Sequence, residues 1–474
     1  MNAIEKRQVS MGEKIAFGMG MLANQMFPAA LGVFLVVLVQ DFGFSPLAWG
    51  FIFFAPRAFD AITDPIMGFI SDNTRSRWGR RRPYVFVGAI LLGISYIAMW
   101  QLDRENSLQF NFIYFMSFSL LFYLGLTIFS VPYVAMGYEM SDDFHERTSI
   151  MAIAQFIGQW AWVIAPWFWV IVYDPKQFED VDTGVQTLSV WVAIPCTLLA
   201  MIPALFIKSR STLDRDDFKT ISIKSMVSSV IEIIISTFQA FLIPQFLRLA
   251  IATFLVFNSF NIIAAFTFLI IVHHMFNGDP GAAGIWPAMH GCVGALCTTF
   301  LVIPVVTQMS KKLGKKQTFI ITQAISIIGY ILFWFLFVPG KPRLFLWALP
   351  FHSFGIGGLF TLMMSMTADV CDIDEYRTGK RREGTIGAVY WWMVKFGHAF
   401  AGLLGGVILW WVGFDPDPVA SEASITGLRF FYSALPILGV LGAIGVMWHY
   451  DVTEESAERT RRALADRKAA QGTH

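Results

Sequence analysis

Twelve apolar stretches, each about 20 residues long, divide this sequence and constrain its fold more than any other feature. They centre near residues 27, 58, 93, 123, 160, 197, 260, 295, 327, 357, 398 and 437. A helix of this length crosses the hydrocarbon core of a bilayer. Because 55% of the residues are hydrophobic and only 15% are charged, a soluble fold could not cover the apolar surface. The sequence predicts an all-α polytopic membrane protein with twelve transmembrane helices.

The basic residues indicate how the chain is oriented. Of the 35 Lys and Arg residues, 28 fall in connections on one side of the predicted spans, which is typical of the cytoplasmic side. We therefore expect a multi-pass protein of the plasma membrane, a bacterial inner membrane, with both termini in the cytoplasm. The polar first residues lead directly into a span, and no cleavable signal is apparent.

A charged segment after the sixth span divides the chain into two six-helix halves. This segment includes RSRSTLDRDDFKT and is interpreted as a cytoplasmic linker that contains an interfacial amphipathic helix. The predicted divisions are an N-terminal half, the linker, a C-terminal half and a cytoplasmic tail, at residues 1–207, 208–243, 244–450 and 451–474.

The two halves carry similar turns. SDNTRSRWGRRRPY (71–84) follows the second span and TQMSKKLGKKQTF (307–319) follows the eighth, and both are basic turns around a glycine, Gly79 or Gly314. Repeated halves of this kind are typical of alternating-access transporters with a substrate site between the halves at mid-membrane. A chance similarity between two basic loops is the alternative.

Charged residues inside the spans cluster in the second one, PRAFDAITDPIMG (56–68). Arg57, Asp60 and Asp64 are spaced i, i+3 and i+7, so they project from one helical face. Carboxylates in hydrocarbon cost several kcal/mol unless they are paired or hydrated, and two on one face repel each other. A bound cation removes both penalties, and the pair is therefore a candidate cation site.

Lys395, in AVYWWMVKFGHAFAG (388–402), is the lysine deep in a span of the second half. If the second and eleventh helices face each other, Arg57 and Lys395 would balance Asp60 and Asp64 until a cation binds. Cation binding would then release Lys395 and couple the ion to the solute. The alternative is a buried ion-pair network that only fixes helix packing.

Three stretches make the sequence similar to a known family: RAFDAITDPIMGFISDNTRSRWGRRRPY, VPYVAMGYEMSDDFHERTSI and ADVCDIDEYRTGKRREGTIGAVYWWMVKFGHAF. They resemble the glycoside-pentoside-hexuronide:cation symporters, the melibiose permease family within the major facilitator superfamily. The resemblance covers essentially the whole chain. It implies that Asp60, Asp64 and Thr127 bind the coupling cation and that Thr63 occupies another ligand position, where melibiose-type proteins have an amide. It also implies coupling roles for Lys395 and Arg57.

The residues that would contact the solute depart from the melibiose pattern. Where those proteins have acids on helices one and four and an arginine on helix five, this chain has Gln25, Ser130 and Gln155. A galactoside bound in the same way is therefore not expected. Gln159 follows Gln155 by one turn, and Tyr133, Trp160 and Trp391 are candidates to stack on the solute, with lipid-facing or core packing as the alternative for each aromatic residue.

Charged residues in two further turns resemble gate groups that close the inner mouth through salt bridges. A purely topogenic role is the alternative for the arginines. The candidates for the cytoplasmic gate are Asp72, Arg75, Arg80, Arg81, Asp369, Asp372, Asp374, Arg381 and Glu383.

The motifs that the sequence lacks also limit its function. It contains no Gly-rich phosphate loop, no H-E-x-x-H and no G-x-S-x-G, so we expect neither an ATP-driven pump nor an enzyme. Symport of a sugar-like solute with Na+ or H+ is favoured, with an amphiphile such as a lysolipid as the alternative solute and a membrane sensor as a third class. Expected partners are the solute, the coupling cation and membrane lipids, with no nucleic acid and no cofactor, and we expect a monomer.

Overall fold

The computed structural model describes residues 9–141, 144–207, 212–213, 221–379, 383–415 and 420–471. These residues form helices joined by turns, and none of them lies in a strand. The chain divides into two compact units, unit 1 (Met1–Val230) and unit 2 (Ile231–His474). The boundary falls inside the segment predicted as a linker, 208–243.

Unit 1 is built from helices whose centres lie close to those of the first six predicted spans. Its helices are α1 (Met11–Gln40), α2 (Pro46–Asp72), α3 (Arg82–Met99), α4 (Leu108–Glu139), α5 (Phe144–Ile164), α6 (Trp167–Val172) and α7 (Val181–Phe206). They are followed by α8 (Ile223–Phe241) in the predicted linker. Because Ile231, Ile234 and Phe238 are all at least half exposed on α8, this helix has the apolar surface expected of an interfacial segment.

Unit 2 repeats this arrangement with more interruptions. Its helices are α9 (Pro244–Leu269), α10 (Pro280–Ala283), α11 (Trp286–Leu296), α12 (Ile303–Leu313), α13 (Lys315–Leu336), α14 (Leu349–Thr378), α15 (Glu383–Trp411), α16 (Glu422–Trp448) and α17 (Glu454–Gln471). The π-helical segments Ile270–Met275 and Cys297–Val302 extend α9 and join α11 to α12.

Eleven helical segments of the described chain are long and apolar enough to cross a membrane. The twelfth predicted span, α2, is 27 residues long, which at 1.5 Å per residue exceeds the hydrocarbon thickness. It differs from the others because Arg57, Asp60 and Asp64 interrupt its apolar surface. The one predicted span that is missing from these eleven segments is therefore the one that carries the candidate cation site.

Serine residues cap the start of several long helices. Ser10 forms a capping box with Glu13 at the start of α1, and Ser45, Ser107 and Ser421 accept hydrogen bonds from the first turns of α2, α4 and α16. Each serine oxygen pairs with an N–H group that has no partner within the helix. These caps fix where the helices begin, which the predicted span centres did not specify.

Glycines mark the corresponding helix crossings in both units. A Cβ atom at Gly88 of α3 would lie 2.5 Å from the backbone nitrogen of Phe129 on α4. Likewise, a Cβ atom at Gly329 of α13 would collide with the backbone of His352 on α14. Gly79 and Gly314, in the two similar turns, both have positive φ angles, 85° and 77°. The similarity between the predicted halves therefore extends to backbone conformation and to helix packing.

We expect Gly88→Ala to destabilise unit 1, because the added methyl group meets backbone atoms that cannot rotate away. Overpacking of this kind costs about 1–3 kcal/mol, so the thermal unfolding midpoint of the purified protein should fall by several degrees. Gly32→Ala on α1 is the matched control, since nothing lies within 4 Å of its added Cβ. Equal midpoints for the two variants would contradict the close crossing of α3 and α4.

Candidate cation and solute sites

The predicted acid pair meets a hydroxyl group from α4. Thr127 Oγ1 lies 2.6 Å from Asp60 Oδ1 and 3.2 Å from Asp64 Oδ1, and Thr63 Oγ1 lies 3.1 Å from Thr127 Oγ1. Asp60 is 4% exposed and Thr127 is 1% exposed. The structure thus brings all four predicted cation ligands together, and their oxygens suit a hard cation such as Na+.

The Thr127 hydroxyl cannot donate a full hydrogen bond to both carboxylates at once. It carries one proton, and the shorter contact indicates that Asp60 accepts it. The longer contact, in which Asp64 Oδ1 also accepts from Thr127, then shares the same proton. An added proton or metal cation in this cluster would remove the repulsion between the carboxylates.

Arg57 does not balance the acid pair in the way the sequence predicted. Its Nη1 donates to the carbonyl of Phe53, at 3.0 Å, and its guanidinium lies 4.9 Å from the centre of the Phe53 ring and 5.7 Å from that of Tyr123. Among the residues that the structure describes, Arg57 forms no ion pair. Its side chain extends toward the start of α2, as long helical side chains do, and aromatic rings stabilise its charge.

Two of the predicted solute contacts are joined by a hydrogen bond. Gln25 Nε2 of α1 donates to Gln155 Oε1 of α5, at 2.9 Å. Gln25 Oε1 in turn accepts from Trp162 Nε1, also at 2.9 Å. Trp162 was not among the predicted solute contacts, although it lies i+7 from Gln155 and so shares its helical face.

The remaining predicted solute contacts differ in accessibility. Trp160 and Trp391 are exposed, whereas Ser130 and Gln159 are half-buried. Tyr133 has no exposed surface; it stacks between Phe17 and Phe129 and its hydroxyl donates to the Phe17 carbonyl. The prediction that Tyr133 stacks on a solute is wrong in this structure, because its ring faces are already covered within unit 1.

Predicted gate residues of unit 1 form an ion-pair network where α2 ends and α3 begins. Arg81 lies 2.8 Å from Asp72 Oδ1 and 3.1 Å from Glu139 Oε1, and Arg80 also pairs with Glu139. Burial lowers the pKa of Arg81, against the charges of Glu139 and Asp72, which raise it. Sequence reasoning missed Glu139, although it is an acid at the end of an apolar run in one of the matched stretches. Arg75 is exposed.

In unit 2, the predicted gate residue Asp369 pairs with Lys315, at 2.5 Å. Asp374 is buried and Asp372 is half-buried on the same helix, α14. Arg381 and the side chain of Glu383 lie outside the described residues. Lys395 is half-buried on α15, and its role in coupling stays a prediction.

At the opposite end of unit 1, three connections and the first turn of α7 meet around Asp41. The Tyr173 hydroxyl donates to Asp41 Oδ2 at 2.5 Å, and Arg104 lies 3.9 Å from Asp41 and 2.5 Å from Asp182. Burial raises the pKa of the Asp41 carboxyl from 3.8 to about 6, although the Tyr173 hydrogen bond and the Arg104 charge lower it. Between about pH 4 and 6, this raised pKa favours a protonated Asp41 carboxyl in the folded protein, whereas the unfolded chain has released that proton.

We expect this proton to make the stability of the protein depend on pH. Because the pKa is raised on folding, the contribution of Asp41 to the free energy of unfolding is largest below pH 4 and falls by about 3 kcal/mol as the pH rises through 6. The thermal unfolding midpoint should therefore decrease as the pH is raised from 4.5 to 7. Asp41→Asn should make this decrease smaller. Asp180→Asn, an exposed acid nearby, is the control, and an unchanged slope in Asp41→Asn would contradict the prediction.

Comparisons with known proteins identify the family. The profile of the family described as MFS/sugar transport protein matches residues 16–454. The chain belongs to this family. Among its relatives, the glucuronide carrier protein homolog of Escherichia coli (strain K12) is 24% identical over 98% of each chain. The inner membrane symporter YicJ of the same organism is 26% identical over 97% of this chain and 96% of its own.

The solved structures agree on the fold of this MFS/sugar transport protein. The D-xylose-proton symporter structure matches with a TM-score of 0.65 and 15% sequence identity, covering 93% of this chain and 98% of its own. The predicted all-α major facilitator fold is confirmed. The protein is a secondary active transporter rather than an enzyme, and the resemblance to the glycoside-pentoside-hexuronide:cation symporters is confirmed.

Proposed function

We propose that Asp60, Asp64 and Thr127 bind the coupling cation of a symporter. The observation that carries this proposal is the two carboxylates held around one buried hydroxyl in an apolar span. A cation in this position neutralises charge that is costly in a membrane interior. No cofactor is needed beyond that ion, Na+ or H+.

The bound cation and the solute would favour each other's binding. Linkage requires that if the cation raises the affinity for the solute, the solute raises the affinity for the cation by the same factor. Lys395 is the proposed link, because a lysine attracted by ionised acids responds when a cation replaces their net negative charge. In this proposal the acid pair therefore couples the free energy of cation binding to that of solute binding.

The proposed solute is sugar-like: a glycoside, a pentoside, a uronide or a related compound. The family description and the name of the glucuronide carrier homolog support this class. The side-chain amides of Gln25 and Gln155, which are hydrogen-bonded to each other, supply hydrogen-bonding groups of the kind that a polar solute requires. These observations do not favour the lysolipid alternative.

We also propose that the protein acts as a monomer among the lipids of a bacterial inner membrane, with both termini in the cytoplasm. The name of the inner membrane symporter YicJ and the distribution of basic residues support this location. The ion-pair network of Asp72, Arg81 and Glu139 would then lie at the cytoplasmic end of unit 1, where salt bridges can form and break during transport.

Uptake into proteoliposomes tests the proposal. Labelled methyl glycosides, pentosides and glucuronides should accumulate only when an inward gradient of Na+ or of protons is imposed, and dissipating that gradient should stop accumulation. A solute that equilibrates at the same rate with and without either gradient would refute symport.

A further inference from the structure

A row of aromatic side chains on α2 leads from the start of this helix to Arg57. Trp49, Phe53 and Arg57 follow each other at four-residue intervals, so they lie along one side of the helix. The Trp49 and Phe53 ring centres are 4.6 Å apart, and the Arg57 guanidinium lies 4.9 Å from the centre of the Phe53 ring. Trp49 is buried, and its indole N–H donates to the Leu35 carbonyl of α1 at 2.8 Å. The first ring of the row is therefore fixed to α1, and the Phe53 ring packs against it.

Tyr123 of α4 supplies a second ring for the same guanidinium. Its ring centre lies 5.7 Å from the Arg57 guanidinium carbon, and the ring is buried with an edge contact to Phe122. Arg57 Nη1 also donates to the Phe53 carbonyl at 3.0 Å. Two aromatic rings and one carbonyl therefore stabilise the positive charge of Arg57, which forms no ion pair among the residues that the structure describes. We call Phe53 and Tyr123 the arginine cage.

The arginine cage lies about one helical turn from the candidate cation site on both helices. On α4, Tyr123 precedes Thr127 by four residues, and on α2, Arg57 precedes Asp60 by three. Tyr123 contacts Arg57, and one turn further along both helices Thr127 contacts Asp60 at 2.6 Å. Residues three apart on a helix are close enough to form an ion pair. Arg57 could therefore reach Asp60 if its side chain left the arginine cage and rotated about its own bonds.

We propose that Phe53 and Tyr123 are positioning residues that hold Arg57 away from Asp60 and so leave the acid pair to the coupling cation. This inference rests on the proposed cation site and adds two residues that determine its affinity. A guanidinium paired with Asp60 would occupy one carboxylate, and its positive charge would repel an incoming cation. Pairing by Arg57 and binding of the cation are therefore alternatives. The aromatic rings favour cation binding because they stabilise the guanidinium in another place.

Direct measurement of ion binding by the purified full-length protein tests this proposal. NaCl is titrated calorimetrically, with choline chloride keeping the ionic strength constant. In a second arm, proton binding is measured as the pH is lowered, and the same titration of Asp60→Asn is subtracted to remove the contribution of other acids such as Asp41. The ion that the wild-type protein binds is then used to compare the variants.

The variants of the arginine cage separate the aromatic ring from the rest of the side chain. Tyr123→Leu removes the ring but keeps an apolar side chain, so Arg57 is released toward Asp60 and the ion affinity should fall about three- to tenfold. Phe53→Leu should act in the same direction. Tyr123→Phe keeps the ring, so its ion affinity should stay within about twofold of the wild-type value.

The Arg57→Gln background separates positioning of the arginine from simple helix packing. This variant has no guanidinium to compete with the ion, so it should bind the ion at least as tightly as the wild type does. Adding Tyr123→Leu to it should change the ion affinity by less than about twofold, whereas a ring that only packs helices would cause the same loss in both backgrounds. Phe118→Leu is the matched control on α4, because this half-buried ring packs on Tyr114 with ring centres 4.7 Å apart, and it should leave the ion affinity unchanged.

The outcomes separate this proposal from the proposed symport. Unchanged ion affinity in both Tyr123→Leu and Phe53→Leu, an equal loss in the Arg57→Gln background, or weaker ion binding by Arg57→Gln itself would overturn it. Binding of neither Na+ nor protons by the wild-type acid pair would refute the cation site and this proposal with it. An ion affinity that Tyr123→Leu lowers only when Arg57 is present, together with solute uptake that ignores ion gradients, would support the proposal while refuting symport.

Discussion

Asp60→Asn is expected to abolish ion-driven accumulation of solute while leaving the protein folded. The change removes one of the two charges around Thr127 but keeps an oxygen that can accept its hydrogen bond. Losing one charged partner of a buried cation costs several kcal/mol, which corresponds to roughly 100-fold or more in cation affinity. Asp64→Asn should act in the same direction.

Uptake by proteoliposomes under a sodium or proton gradient measures this effect, and a solute-induced rise in the unfolding midpoint shows whether the variant still folds and binds. Asp103→Asn, an exposed acid in the connection between α3 and α4, is the control and should transport normally. Accumulation by Asp60→Asn at the wild-type rate, still responsive to the ion gradient, would refute the assignment of the site.

Thr127→Val is expected to weaken cation coupling without adding or removing a formal charge. Valine is nearly the same size as threonine but leaves both carboxylates without the hydroxyl that they share. The bound cation loses one oxygen ligand, and a polar contact with a charged group contributes about 1.5–3 kcal/mol, so the ion concentration for half-maximal uptake should rise by about 10- to 100-fold. Thr127→Ser keeps the hydroxyl and should behave nearly as the wild type does.

Thr63→Val provides a graded comparison. The Thr63 hydroxyl contacts the carbonyls of its own helix and reaches Thr127 at 3.1 Å, so its loss should raise the half-maximal ion concentration less than the loss of Thr127. If Thr63→Val had the larger effect, or if Thr127→Val coupled normally, the shared hydroxyl would not be the centre of the cation site.

Some parts of the site could be predicted because they depend on local spacing. Asp60 and Asp64 are one turn apart, so any helix in this segment places them on one face. The complete set of four cation ligands could be predicted only because the family resemblance supplied Thr127, which lies 63 residues from Asp64 in the sequence. Spacing alone could not have paired residues from two different helices.

Other assignments failed because the sequence does not state what covers a side chain. Tyr133 looked available for stacking, yet Phe17 and Phe129 cover its ring. Arg57 shares a helical face with the acids, but its flexible side chain reaches the aromatic rings of Phe53 and Tyr123. A long helical side chain points toward the start of its helix, which in Arg57 is away from the acids, so sharing a face does not determine the partner.

The sequence by itself determined that the chain spans a membrane as helices, where those helices lie and which of them carries charge, because hydropathy and helical period are local properties. Only the tertiary structure decided that Thr127 lies between the acids, that Glu139 pairs with Arg81 and that Trp162 donates to Gln25. These relations depend on how neighbouring helices pack, and glycines such as Gly88 and Gly329 set that packing through distances that no single segment specifies.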